Sequence, residues 1–163
     1  GMFLVRAEDD DYLDELKEKV LNCFTAASLS TGARLEHMWN RMRYAPMHNN
    51  FTLAGVFTRN LESLGRKVSP PGSSSGFGST DMGNVSQAVP SIHPIISIAP
   101  PETSEHTREF AAAAASEAGH RGLVDAAKAM ALTAADLLAD PQLLLKVTRE
   151  FQEGDNGKGT WRE

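Results

Sequence analysis

The 163-residue sequence has a single cysteine, Cys23, so no internal disulfide can form and a reducing compartment fits. Cys23 falls on the apolar side of a predicted helix, where a buried structural thiol is expected rather than a nucleophile. Long uninterrupted apolar runs are also missing. The longest, Leu123 to Leu138, is broken by Asp125, Lys128 and Asp136, which excludes it as a membrane span. Positive charge is in deficit, with 16 Lys and Arg against 21 Asp and Glu and a formal net charge of -5. The short stretch Arg41-Met42-Arg43 does not make a basic stripe, so neither nucleic acid nor a membrane is expected as a partner. No signal peptide is read, Gly1 before Met2 reads as a tag remnant, and the cytoplasm is the default location. What remains is ordinary for a globular chain: 41% hydrophobic and 23% charged residues, enough for one domain with a core or two small ones.

Along the chain, Met2 to Arg6 reads as a short strand, and the acidic run Glu8 to Asp11 suits the start of a helix. Leu13, Leu16, Val20, Phe24 and Ala27 recur at spacings of three and four, one helical stripe, and Gly32 is its stop. Arg34 to Tyr44 alternates weakly and runs into Pro46, which reads as a second strand. Asn50 can cap a helix bearing Leu53, Phe57, Leu61 and Leu64 and ended by Gly65. Ser69 to Gly76 is all serine, proline and glycine, a linker composition that here reads as the approach to a binding loop. Pro94 to Ala99 reads as a strand. Thr103 or Ser104 can cap a helix through the alanines 111–115, a break follows near Gly119 to Gly122, and another helix carries Leu123, Ala127, Met130, Ala134 and Leu137. Asp140-Pro141 opens a last helix with Leu144, Val147 and Phe151. From Gly154 onward a flexible tail is expected.

Two segments carry possible chemistry. The run Gly78-Ser79-Thr80-Asp81-Met82-Gly83-Asn84-Val85-Ser86 is a small-residue loop whose backbone donors and hydroxyls can approach a carbonyl or an anion. Such loops are common, and most bind nothing. Further on, Glu105-His106-Thr107-Arg108-Glu109-Phe110 places an imidazole at the start of a helix. There His106 can ligate a metal or simply bond a neighbour. Asn84 and Ser86 are lesser candidates. His37, His48, His93 and His120 have no HxxxH or HxD partner and read as structural.

Together the two segments resemble the C-terminal part of the M20 family of zinc-dependent amidohydrolases and peptidases, in the branch that includes aminobenzoyl-glutamate hydrolase and the M20 domain-containing dipeptidases. The resemblance implies an α/β fold in an incomplete form. Residues 2–47 would be half of a small lid or dimerisation domain, strand-helix-strand, residues 48–153 the C-terminal part of the catalytic domain, and 154–163 the tail. It implies that His106 is the last metal ligand, that zinc is the cofactor, and that Gly78, Ser79, Thr80 and Asp81 line the substrate pocket. The remaining metal ligands and the general base of such enzymes come from an early His-x-Asp or Cys-x-His segment and a Glu pair. No histidine here is followed two positions later by Asp, and no Glu-Glu pair occurs.

The first functional expectation is therefore the later part of an amide-bond hydrolase acting on small dipeptides or N-acyl amino acids, inactive as this chain alone. A separate N-terminal half would complete it. The alternative is a non-catalytic fragment that self-associates, since a half sheet leaves edges and an apolar helix face uncovered and favours a homodimer. A small-ligand binder using only the loop is a third reading.

Overall fold

The computed structural model describes residues 1–7, 9–40, 42–69 and 78–154. These form two compact units, one of residues 1–47 with 78–88, the other of residues 48–69 with 89–154. The expected linker at Ser69 to Gly76 and the expected tail after Gly154 lie almost wholly outside the described residues.

The first unit is organised by α1, Asp10–Thr31. Asp9 caps it, accepting from the Tyr12 N–H at 2.7 Å, and Asp10 and Asp11 place negative charge in the first turn, where the helix dipole favours it. Gly32 ends the helix at φ +69°, a left-handed conformation glycine adopts without Cβ strain. The segments flanking α1 touch it through side chains. The Phe3 and Phe24 rings lie 4.9 Å apart, Lys17 Nζ stands 5.5 Å from the Trp39 ring, and Arg43 pairs with Asp10 and Asp14 at 3.0 Å each.

The sheet half of the α/β expectation does not form among the described residues. Residues 2–6, 34–44 and 94–99 make no strand there; an isolated parallel bridge between Asn49 and Ser91 is the pairing that occurs. A strand exists only through the hydrogen bonds of a neighbour, and each of these segments lacks one. The same lack leaves α1 without a buried residue, and Cys23, expected to be buried, is exposed.

The second unit is helical. α2 spans Phe51–Ser63, and its N-terminus is held by two residues. Asn50, buried, accepts from the Leu53 N–H at 2.9 Å while its Nδ2 donates to the Val147 carbonyl at 2.9 Å. The Glu150 carboxylate accepts from the Phe51 and Thr52 N–H groups at 2.5 and 2.9 Å. Gly65, at φ +84°, follows the helix end. α4 spans Arg108–Ala114, α5 Glu117–Ala139 and α6 Pro141–Glu153. Here α3 denotes the five-residue helix Met82–Ser86 of the first unit. Helix α2 packs on α5 and α6, and α5 also touches α4 and α6. The core is Phe57, Leu61 and Ala129, lined by Leu64, Val68, Ile92 and Ile96. Arg66 fastens its edge: its Nε pairs with Asp125 Oδ2 at 2.8 Å and its Nη1 donates to the Ser97 carbonyl at 3.0 Å.

Two expectations in this unit change. Residues 119–122 do not break the chain; Ser116 caps α5, accepting from the Gly119 N–H at 3.2 Å, and the helix runs straight through. Its glycines are there for contact. A Cβ on Gly119 would come within 2.3 Å of the Ala114 carbonyl, and one on Gly122 within 2.5 Å of Ile98 Cγ2. The alanine-rich helix, in turn, starts later than Ser104: its cap is Thr107, accepting from the Phe110 N–H at 3.2 Å. No helix among the described residues is long and apolar enough to cross a membrane.

Candidate functional site

The Gly78–Asp81 loop belongs to the first unit and leads directly into α3. Gly78 and Ser79 are exposed, with nothing within 4 Å of where a Cβ of Gly78 would stand. Thr80 is the turn's organiser. Its Oγ1 accepts from the Met82 N–H at 3.3 Å and lies 3.5 Å from Asp81 Oδ1, and its carbonyl accepts from the Gly83 N–H at 3.2 Å. The Asp81 carbonyl accepts from the Val85 N–H at 3.2 Å, while its exposed carboxylate makes no cap bond to α3. The loop thus presents a hydroxyl, a carboxylate and small residues to solvent, a surface suited to polar groups of a small molecule.

Behind the loop, residues of secondary weight in the sequence prove well anchored. Gly83 and Ser86 are buried, and Ser86 Oγ donates to the Gly83 carbonyl at 2.6 Å. Asn84 makes two hydrogen bonds to the backbone of residues 43–45, and Gln87 Nε2 donates to the Pro46 carbonyl at 2.8 Å. The sequence alone makes Asn84 and Ser86 lesser candidates and Gly83 only a member of the run. Nothing local announces a partner some forty positions earlier.

His106 belongs to the second unit. It is exposed and sits one residue before the Thr107 cap, outside the helical turn that the sequence predicts for it. Its φ of +62° is left-handed, a conformation uncommon outside glycine though enriched for histidine. The turn is held around it. Thr107 Oγ1 donates to the Ser104 carbonyl at 2.7 Å, and the Thr103 N–H donates to the Pro100 carbonyl at 2.9 Å. Strained backbone of this kind costs on the order of 1–3 kcal/mol and persists where surrounding bonds fix it, often at functional positions.

No group of three His, Cys, Asp or Glu side chains capable of holding a metal occurs among the described residues. A catalytic zinc site takes about three protein ligands. The described residues therefore do not fit a metal centre by themselves, and His106 offers one imidazole to whatever completes it.

Both segments lie within a sequence of recognisable kind. The chain is similar to Xaa-Arg dipeptidases. Over 153 residues, 93% of its length, it is 36% identical to the Xaa-Arg dipeptidase of Mus musculus and 33% identical to that of Homo sapiens. Of those relatives it spans 35% of the length. No protein-family model matches the sequence.

Charge around α1 is where titration shifts. The Lys17 hydrogen bond, with Arg43 adding to it, holds the Asp14 carboxyl below its ordinary value against an opposing desolvation. The Glu15 hydrogen bond raises Lys19.

Proposed function

We propose that the chain supplies part of an M20-type dipeptidase with an α/β catalytic domain, in which Gly78 to Asp81 contact substrate and His106 furnishes one ligand to a zinc ion. The observation that carries this reading is similarity over 93% of the chain to two Xaa-Arg dipeptidases. The substrate class is a dipeptide with a C-terminal arginine, as those relatives' name states. The exposed Thr80 hydroxyl and Asp81 carboxylate have the chemistry to orient such a molecule, the carboxylate by pairing with a guanidinium. About two thirds of the relatives' length has no counterpart here, so the remaining ligands and the proton-shuttling glutamate belong to polypeptide beyond these residues.

The test is a chimera in which this sequence replaces the matching third of the mouse enzyme. It is expected to hydrolyse alanyl-arginine. His106→Ala should then lower kcat/KM by at least the roughly 10- to 100-fold seen for weaker changes around metal sites. A folded chimera whose activity is indifferent to His106 would overturn the assignment.

A second reading, a non-catalytic module that pairs with another copy of itself, is favoured by one observation. The first unit leaves Met2, Phe3, Leu4, Leu29, Met38 and Met42 exposed, and α1 has no buried residue. Sedimentation of the purified chain separates a dimer from a monomer.

A further inference from the structure

The loop assigned above to substrate contact is continuous with a helix that has little reason to exist alone. Helix α3 has five residues, one of them glycine, too few to repay its own nucleation. Its stability comes from the segment 43–46. Asn84 Oδ1 accepts from the Ala45 N–H at 3.3 Å, and Asn84 Nδ2 donates to the Arg43 carbonyl at 3.2 Å. One side-chain amide thus meets an N–H and a C=O two residues apart on the same extended stretch, as a neighbouring strand would. Gln87 adds a third bond to the Pro46 carbonyl. The close approach is possible because residue 83 has no side chain: a Cβ there would stand 1.8 Å from the Ala45 carbonyl oxygen.

We propose that Asn84 is a positioning residue, clasping α3 to the Arg43–Pro46 backbone and thereby fixing where Thr80 and Asp81 present their polar groups. The transmission is short. The Gly83 and Met82 N–H groups bond to Thr80, and the Val85 N–H bonds to Asp81, so the loop and α3 move as one hydrogen-bonded turn. Asn84 itself faces the backbone of residues 43–45 and need not touch substrate. The amide is suited to this task because it carries a donor and an acceptor in a fixed plane. Aspartate has no donor for the Arg43 carbonyl, and alanine has neither group. This inference rests on the reading that Gly78 to Asp81 meet substrate.

Amide hydrogen exchange on the 15N-labelled chain tests it, with alanyl-arginine titration as the second readout. In Asn84→Ala, the Ala45 amide is expected to exchange roughly fivefold faster, the opening penalty of about one hydrogen bond. The amides of Ser79 to Asp81 should shift with it, while α5 amides such as Ala129 stay protected. Asn84→Asp, which keeps an acceptor for the Ala45 N–H, should recover protection at Ala45, a rescue that lost packing alone would not give. Unchanged exchange at Ala45 in Asn84→Ala would overturn the clasp, as would protection lost equally throughout α5. In the titration, alanyl-arginine is expected to move the loop amides of the parent chain and to bind at least severalfold more weakly to Asn84→Ala. Loop amides unmoved by the dipeptide in every variant would reject the substrate reading and leave the clasp standing.

Discussion

Gly83 shows how one missing side chain governs its surroundings. With the Ala45 carbonyl 1.8 Å from the position a Cβ would take, Gly83→Ala forces backbone apart in the first unit. Overpacking of this kind costs about 1–3 kcal/mol, and urea unfolding of the variant is expected to show a loss in that range. Gly78, with open space around it, should tolerate alanine with no measurable change. Asp14 makes a pH prediction. Its folded-state pKa is lowered, first by Lys17, so its contribution is present above the ordinary aspartate value of about 3.9 and is lost as pH falls through the lower folded value. A carboxyl-detected NMR titration should find Asp14 titrating below its exposed neighbours, and Lys17→Met should move it back up. Because the group is exposed, the effect on overall stability is slight. Residue-scale features that depend on neighbours in sequence were legible without coordinates: Asp9, Asn50 and Asp140 each cap the helix that their position predicts. Gly83, Asn84 and the strained His106 were not, because their partners or constraints come from elsewhere in the chain.

At the scale of elements, the helices follow from local rules and the strands do not. Stripes at spacings of three and four, with a capping side chain before and glycine after, suffice for α1 and α2. Residues 2–6 and 34–44 alternate as strands do, but alternation says only which face would be buried, not who would pair. Helix α5 failed the opposite way. Its two glycines read as a break by propensity, whereas tertiary contact with Ala114 and Ile98 selects them and keeps the helix whole. The joint between α2 and α6 carries its own prediction. Glu150 puts a carboxylate on the first N–H groups of α2, where both hydrogen bonding and the helix dipole favour negative charge. Glu150→Ala is expected to destabilise the second unit by about 1–3 kcal/mol, the range for hydrogen bonds to a charged group, read as a lower urea midpoint. Asn50→Ala removes a cap and strands the Val147 carbonyl, with a cost of about 1–2 kcal/mol.

For the whole molecule, exposed apolar surface is the dominant fact. Leu123 at 70%, Leu138 at 86% and Ile95 at 83% exposure in the second unit join Met2 and Met38 in the first. Soluble proteins seldom leave so many large side chains in water. Covering surface, from further polypeptide or from another copy of the chain, accounts for it, and the 35% span of the relatives' length points to the former. The purified chain is therefore expected to bind a hydrophobic dye and to self-associate with rising concentration. The candidate site divides along the same line. The polar loop and the histidine stood out in the sequence, but the ligands that would make a metal centre of His106 are not among the described residues. Zinc stoichiometry of the chain after zinc loading and dialysis, by elemental analysis with His106→Ala alongside, tests this most directly. The account predicts far less than one zinc per chain, the same in both proteins. Close to one zinc per chain, lost in His106→Ala, would contradict it and show that the chain builds a complete site on its own.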